Sequence, residues 1–319
     1  MGERLERLNV FAGTYLDRQA HLREQEDWLA RALVDPATVV VPVWQSRNLF
    51  NRGDELRAVL IREPQALLSQ VDPSHTLLLG SFRGAPCLLV ELEGETAPEL
   101  APESEFHELR FFGSLLPADE AGLLAYARAL VLWRARHRFC GSCGSPNLST
   151  KAGHVLLCSN PACRREQFPR IDPAIIVLIT DGERALLGRQ AAWPEGRYST
   201  IAGFVEPGES LEDAVRREVK EETDVDIYDI EYHSSQPWPF PSSLMVGFFA
   251  QAPAGAALKC STELEDARWF SREDIAQGSP ALPSSLSISF RLIEDWYNSA
   301  SRLPLRDTPG AKIWEIKRP

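Results

Sequence analysis

No stretch of this 319-residue chain is apolar for long enough to cross a bilayer. The longest wholly apolar run, residues 174–179, is far short of the roughly 20 residues a membrane helix needs. The opening residues, MGERLERLNV, are charged and hold no apolar signal core, and the closing EIKRP carries no targeting tripeptide. A cytoplasmic protein with no membrane partner is therefore expected. Cysteine is also scarce: six residues are too few for a disulfide-built secreted scaffold. Basic charge is in deficit, with 34 Lys and Arg against 45 Asp and Glu, and the net charge of −11 opposes tight non-specific binding to nucleic acid. What remains, 44% hydrophobic and 25% charged, is ordinary globular composition with room for two or three domains.

Four of the six cysteines cluster. Cys140-x2-Cys143, fourteen residues, then Cys158-x4-Cys163 has the form of a zinc ribbon, in which two tight turns each present two thiolates to one tetrahedral ion. Four thiolates close the coordination shell, so this zinc is expected to be structural. The alternative, two disulfides, conflicts with the missing export signal. Cys87 and Cys260 read as ordinary buried or surface residues. Residues 134–170 carry seven Arg or Lys against one acid, Glu166. Such a basic ribbon suits phosphate or RNA, but in an acidic chain the reading as a folding staple leads.

Ahead of the ribbon, residues 1–125 form the expected amino-terminal α+β domain. Leu22, Trp28, Leu29 and Leu33 mark helix, and strands are predicted at 37–44, 58–61, 76–79 and 87–92. Residues 91–108 hold seven acids and no Lys or Arg, which reads as a solvated connector or edge. A helix starting around Pro117, Asp119 and Glu120 leads into residues 126–168, the helix and ribbon. The third domain, 169–300, opens on the buried strand AIIVLIT and a second strand from Ala185. Further strands are predicted at 226–232 and 246–251, a closing helix at 284–296, and an unassigned polar tail at 301–319.

The densest feature is residues 203–225, GFVEPGESLEDAVRREVKEETDV, where eight acids face three bases, a net −5 within the chain's −11. Ser210 and Asp213 after the Pro207-Gly208 turn read as a capping box, and Leu211, Ala214, Val215 and Val219 give a core stripe at helical spacing. Glu212, Asp213, Arg216, Arg217 and Lys220 take the solvated face. Glu218 and Glu222 instead fall in phase with Leu211 and Val215, with Glu221 one step aside. Carboxylates converging at the inner edge of a helix repel unless a cation lies between them, which predicts a hard divalent metal.

The spacing of Gly203, Glu209, Arg217, Glu218, Val219, Glu221 and Glu222 resembles the signature of the Nudix hydrolases. One position departs: Asp224 stands where the family has glycine, so a slightly strained left-handed helix end and an intact site are expected. Downstream, SQPWPFPSS resembles the motif of the NADH pyrophosphatase, or NAD-capped RNA hydrolase, branch. The resemblance implies a Nudix α/β/α sandwich joined to a zinc ribbon and an α+β amino-terminal domain, α+β overall. It implies hydrolysis of NADH or NAD to nicotinamide mononucleotide and AMP, removal of NAD caps from RNA, and a homodimer.

By the same resemblance Mg or Mn is held by Glu218, Glu222, Glu263 and the carbonyl of Ala202. Glu265 and Asp266 compete for the place of Glu263. Glu221 is the candidate base, with Glu218 and Glu222 as alternatives, and Arg217 braces Glu209. Substrate contacts are implied for Gln236, Pro237, Trp238, Pro239, Phe240, Pro241, Ser242, Ser243 and Ser289. Three prolines fix the backbone of a loop here, on which Trp238 and Phe240 offer flat faces for adenine or nicotinamide; the alternative is a rigid turn whose aromatics fill the core. Two other functions stay open: an RNA-binding adaptor that uses the basic ribbon, and a pyrophosphatase for another nucleoside diphosphate derivative such as ADP-ribose.

Overall fold

The strand Asp172–Thr180 feeds two cores at once. Its side chains alternate, so Ile175, Val177 and Ile179 enter one buried cluster and Ile176 and Leu178 another. That double burial explains why the segment reads as a continuous apolar run. A computed structural model describes residues 8–13 and 15–312. Residues 1–7 and 313–319, the outer ends of the expected first domain and tail, lie outside the described residues. The chain divides into two units, one of Phe11–Ile171 with Trp238–Ser242, the other of Met1–Val10, Asp172–Pro237 and Ser243–Pro319.

In the second of these units a mixed sheet runs in the order Tyr228–Trp238, Ser243–Gln251, Asp172–Thr180, Arg184–Arg189, Asp266–Ser271. The short strand Ile201–Phe204 pairs antiparallel with the first half of Asp172–Thr180, setting Ala202 opposite Ile176 and Gly203 opposite Ile175. The helix Leu211–Thr223 covers one face through Ala214, Val215 and Val219. The helix Ile288–Asn298 covers the other through Ile288, Leu292 and Ile293. Helix, sheet and helix form the sandwich that the resemblance implies. The closing helix starts later than predicted, because Ser287, not Ser284, is the N-cap, accepting from the Phe290 amide at 3.4 Å.

The other unit is built on a seven-stranded sheet ordered Leu16–Asp17, Thr76–Phe82, Ala85–Leu92, Val39–Trp44, Arg47–Asn51, Ser104–His107, with Ile61–Arg62 paired to Val39–Trp44. The predicted strand at 58–61 is reduced to Ile61–Arg62 and a single bridge from Ala58 to Phe50. The acidic stretch supplies the edge strand Ser104–His107. The helix Ala118–Arg136 runs through the expected boundary at 125 and is buried along most of its length. Ribbon residues pack within this unit, where the His154 ring nitrogen Nε2 lies 2.7 Å from the Leu78 carbonyl and Arg134 donates to Ser149 at 2.9 Å. Among the described residues no helix is long and apolar enough to cross a membrane.

Candidate active site

Ser210 caps the helix Leu211–Thr223: its hydroxyl accepts from the Asp213 amide at 3.1 Å and donates to the Asp213 carboxylate at 2.7 Å. At the other end Asp224 adopts the left-handed conformation, φ 58° and ψ 19°, while its amide donates to Lys220 at 2.9 Å. The Lys220 ammonium lies 2.9 Å from the Asp224 carboxylate, so a charge pair offsets part of the backbone cost. The helix therefore ends where a glycine would end it.

Between these caps the acids separate as the wheel requires. Glu218 is 9% exposed and Glu222 6% exposed, on the same side as Val215 and Val219. The Glu218 carboxyl rests against the backbone of Gly203, where an added Cβ would overlap it. Arg217 fixes that carboxyl from one side, donating from Nη1 to Glu218 at 2.9 Å and to Glu221 at 3.1 Å. The rest of its guanidinium grips Glu209, at 2.5 and 3.0 Å, and the Phe204 carbonyl at 2.9 Å. Glu209 also accepts from the Glu206 amide at 2.9 Å. The hydrogen bonds from Arg217 and from that amide hold the Glu209 carboxyl down at about 2.

Burial pushes Glu222 up to about 7, helped by the charges of Glu218, Glu263 and Glu221. Glu218 is raised for the same first reason, against the pull of Arg217. Four acids within electrostatic reach of one another, two of them buried, form an environment that a hard cation would relieve. They stay more widely spaced than the ribbon thiols. Among the described residues, Cys140, Cys143, Cys158 and Cys163 are the only group of three or more His, Cys, Asp or Glu side chains with ligand atoms within 4.8 Å of one another.

Glu263 reaches this face through backbone pairing. The amides of Lys259 and Ser261 donate to the carbonyls of Thr223 and Glu222, each at 3.0 Å, satisfying carbonyls at the helix end and bringing the 259–263 segment alongside. The competing acids are engaged elsewhere: Glu265 pairs with Arg189 at 2.7 Å, and Asp266 accepts from the Tyr198 hydroxyl and from Arg268. Ala202 sits on the strand Ile201–Phe204 and is exposed.

The proline and aromatic motif is half strand and half turn. Ser234 to Trp238 continue the strand Tyr228–Trp238, and only residues 239–242 turn. Gln236 is 1% exposed, and its amide nitrogen donates to Val10 at 3.0 Å and Leu286 at 2.8 Å while its oxygen accepts from the Ile288 amide at 2.8 Å. Ser289 is similarly committed, bonded to Thr200 and Ser199. In the other unit the Phe240 ring lies edge-to-face with Trp238 at 5.3 Å and with Phe11 at 5.9 Å. The guanidinium groups of Arg110 and Arg128 stand 5.0 and 5.1 Å from its centroid. Phe240 is thus a packed platform with positive charge beside it. Pro237 and Pro241 are exposed, Pro239 is buried, and Ser242 and Ser243 are half-buried.

Three family patterns match in succession: an NADH pyrophosphatase-like rudimentary NUDIX domain over residues 37–133, the NADH pyrophosphatase zinc ribbon over 135–168, and the NUDIX domain over 170–288. The chain is 44% identical over 216 residues to NAD-capped RNA hydrolase NudC of Stutzerimonas stutzeri (strain A1501), a match taking in 68% of this chain and 75% of that protein. It is 32% identical over 339 residues to NAD-capped RNA hydrolase NUDT12 of Homo sapiens, covering 90% of this chain and 73% of the relative. This chain belongs to the Nudix hydrolase family. Nudix hydrolases use divalent metals, and the NADH pyrophosphatase zinc ribbon match places the four clustered cysteines within residues 135–168.

Within the Nudix domain the sequence pattern left one aromatic unread. Phe204 directly follows Gly203, its carbonyl is held by Arg217, and its side chain is 60% exposed. A lone exposed aromatic is unremarkable in a sequence, so only its place next to the acidic face gives it meaning. Arg110 and Arg128 were hidden in the same way, among the many arginines between 110 and 138.

Proposed function

We propose that this Nudix hydrolase cleaves the pyrophosphate of NADH and NAD to nicotinamide mononucleotide and AMP, and removes NAD caps from RNA. The observation that carries the chemistry is the buried acidic face, where Glu218 and Glu222 lie with core residues and Glu263 is drawn in beside them. The names of the two relatives supply the substrate class. A pure RNA adaptor would have no use for such a face, because burying carboxylates without a purpose is costly.

Glu218, Glu222, Glu263 and the Ala202 carbonyl would hold the metal, and their all-oxygen donor set suits Mg or Mn better than zinc. A divalent ion there supplies neutralisation of the pyrophosphate charge and a water activated for attack at phosphorus. Arg217 keeps Glu218 aligned from behind, with Glu209 locking the arginine in turn. Glu221, whose side chain is 60% exposed, takes the proton of the attacking water; Glu218 and Glu222 are the alternatives. Pro237, Trp238, Pro239, Phe240, Pro241, Ser242 and Ser243 form the recognition segment. Cys140, Cys143, Cys158 and Cys163 would hold the structural zinc, consistent with thiol pairs at 3.9 Å (Cys140 and Cys163) and 3.4 Å (Cys143 and Cys158). A cytoplasmic homodimer completes the reading, and a single-chain mass in sedimentation would remove the dimer from it.

The test is product analysis with NADH, NAD and NAD-capped RNA, each with Mg and with Mn. Mononucleotide and AMP from the free dinucleotides, and a 5′-monophosphate end on the RNA, are expected. Intact dinucleotides and caps under conditions where ADP-ribose is cleaved would replace this reading with the ADP-ribose alternative.

A further inference from the structure

The side chains of Gln236 and Ser289 spend their bonds inside the protein, and the partners they choose form a continuous line. Gln236 stands two residues before Trp238 at the end of the motif strand. Its oxygen accepts from the Ile288 amide at 2.8 Å and its nitrogen donates to the Leu286 carbonyl at 2.8 Å, so it clasps the chain on both sides of the Ser287 N-cap. Ser289, next along, is 3% exposed. Its hydroxyl accepts from the Thr200 amide at 3.1 Å and the Thr200 hydroxyl at 2.8 Å, and shares a third bond with Ser199 at 2.8 Å. Two acceptor positions and one proton are all a serine hydroxyl has, so Ser289 is saturated. Both amide protons of Gln236 are likewise spent, on the Val10 and Leu286 carbonyls, and its oxygen is buried against the Ile288 amide.

Thr200 immediately precedes the short strand Ile201–Phe204, which carries Ala202 and Gly203. On one side of it Ser199 and Gly188 exchange backbone hydrogen bonds, both at 2.9 Å; on the other, residues 201–204 pair with 174–177. At Thr200 itself, the Ser289 hydroxyl takes the amide proton. The position of the Ala202 carbonyl and of the Gly203 backbone under Glu218 is therefore tied, through one buried hydroxyl, to the start of the closing helix and to Gln236.

We propose that Gln236 and Ser289 are positioning residues, a buried relay that links the recognition strand to the backbone of Ala202 and Gly203 and so sets the metal-facing geometry without touching substrate. The proposal rests on the metal role assigned above to Ala202 and Glu218. Removing either member leaves buried groups unpaired: Thr200 loses the acceptor of its amide in Ser289→Ala, and Ile288 loses that of its amide in Gln236→Met.

The experiment compares Ser289→Ala, Gln236→Met, the double variant and Ser289→Thr in the full chain, measuring Mn affinity by electron paramagnetic resonance or calorimetry alongside steady-state NADH hydrolysis. Each single variant is expected to weaken Mn binding and kcat together by about tenfold, the lower end for residues that orient metal ligands, with KM for NADH within about twofold. The double variant should be no worse than the poorer single one, because both break one line, and Ser289→Thr, which keeps the hydroxyl, should recover most of the loss. Raised KM with unchanged Mn affinity would overturn the relay in favour of direct substrate contact. Lowered thermal stability with unchanged Mn affinity and kcat would reduce both residues to packing. If the wild-type protein bound Mn but left NADH intact, the proposed substrate would fail while the Mn measurement still decided the relay.

Discussion

Gly203 lies directly against the carboxyl of Glu218, with no room for a side chain between them. Its backbone does not need a glycine for conformational reasons, because it lies in a regular strand opposite Ile175 and not in the left-handed region. The requirement is space alone. Gly203→Ala should therefore displace Glu218 from its seat beside Arg217 while leaving the strand intact. Loss of activity by about ten- to a hundredfold is expected if Glu218 holds the metal as proposed, as for other disturbances of a ligand's orientation. Thermal stability should change by no more than about 1 kcal/mol, since the glutamate can swing aside. A paired measurement of kcat and melting temperature checks it; a collapse of both would mean the strand had moved instead.

Glu222→Gln removes a charge and keeps the shape. The helix's hold on the 259–261 segment passes through the Glu222 carbonyl, not its carboxyl, so the fold should survive. Hydrolysis should fall by about a hundredfold or more. Stability in chelator-treated protein carries a second signature. The folded Glu222 carboxyl is raised from 4.5 to about 7, so the fold favours its protonated form, and wild-type stability declines as pH climbs from about 4.5 through 7. The glutamine has no such slope, and the variant should overtake wild type above pH 7 but not at pH 4. Urea unfolding at both pH values would show it, and parallel curves would mean that burial and the neighbouring acids do not raise the Glu222 carboxyl.

Glu209 works in the opposite sense. Arg217 and the Glu206 amide lower its carboxyl from 4.5 to about 2, so its contribution is complete above pH 4.5 and disappears as the pH falls through 2. Glu209→Gln should flatten that part of the acid-unfolding profile. It should also slow hydrolysis, because Arg217 would no longer be held against Glu218. If acid sensitivity between pH 4.5 and 2 were unchanged in the variant, the brace would not be an energetic feature of the fold.

These contacts show how far the residue pattern could reach. Glu218 and Glu222 were legible because Leu211, Val215 and Val219 fix the phase of one helix, and a helix face is a local property. The same holds for the ribbon cysteines and for the left-handed turn at Asp224. Choosing Glu263 over Glu265 and Asp266 needed partners far along the chain, Arg189 and Tyr198, which no local pattern supplies. Gln236 and Ser289 matched a motif, yet their bonds to Leu286, Ile288 and Thr200 span 50 to 89 residues and point inward. The prolines also misled, since Pro237 sits in the strand and the turn is shorter than the motif suggested. It is exposed near the strand's end, where a missing amide proton costs least.

Asp224 supplies the last test, because two small effects oppose each other there. Glycine would remove the left-handed penalty of a side chain at φ 58°, about 1 kcal/mol for a residue as tolerant as aspartate. It would also remove the carboxylate that Lys220 holds at 2.9 Å, an exposed and solvent-screened pair of smaller weight. The first effect is larger, so Asp224→Gly should stabilise the protein by a fraction of that backbone penalty. Lys220 keeps Asp226 at 3.2 Å and so retains a partner. The helix already ends as a glycine would end it, with the Asp224 amide on Lys220, so Glu218 and Glu222 should not move and kcat should be unchanged. Asp224→Val, a β-branched residue at the same dihedral angles, should destabilise by more than 1 kcal/mol. Denaturant midpoints for the three proteins give the order directly. A glycine variant less stable than wild type would mean that the lysine pair, and not the backbone, governs this helix end.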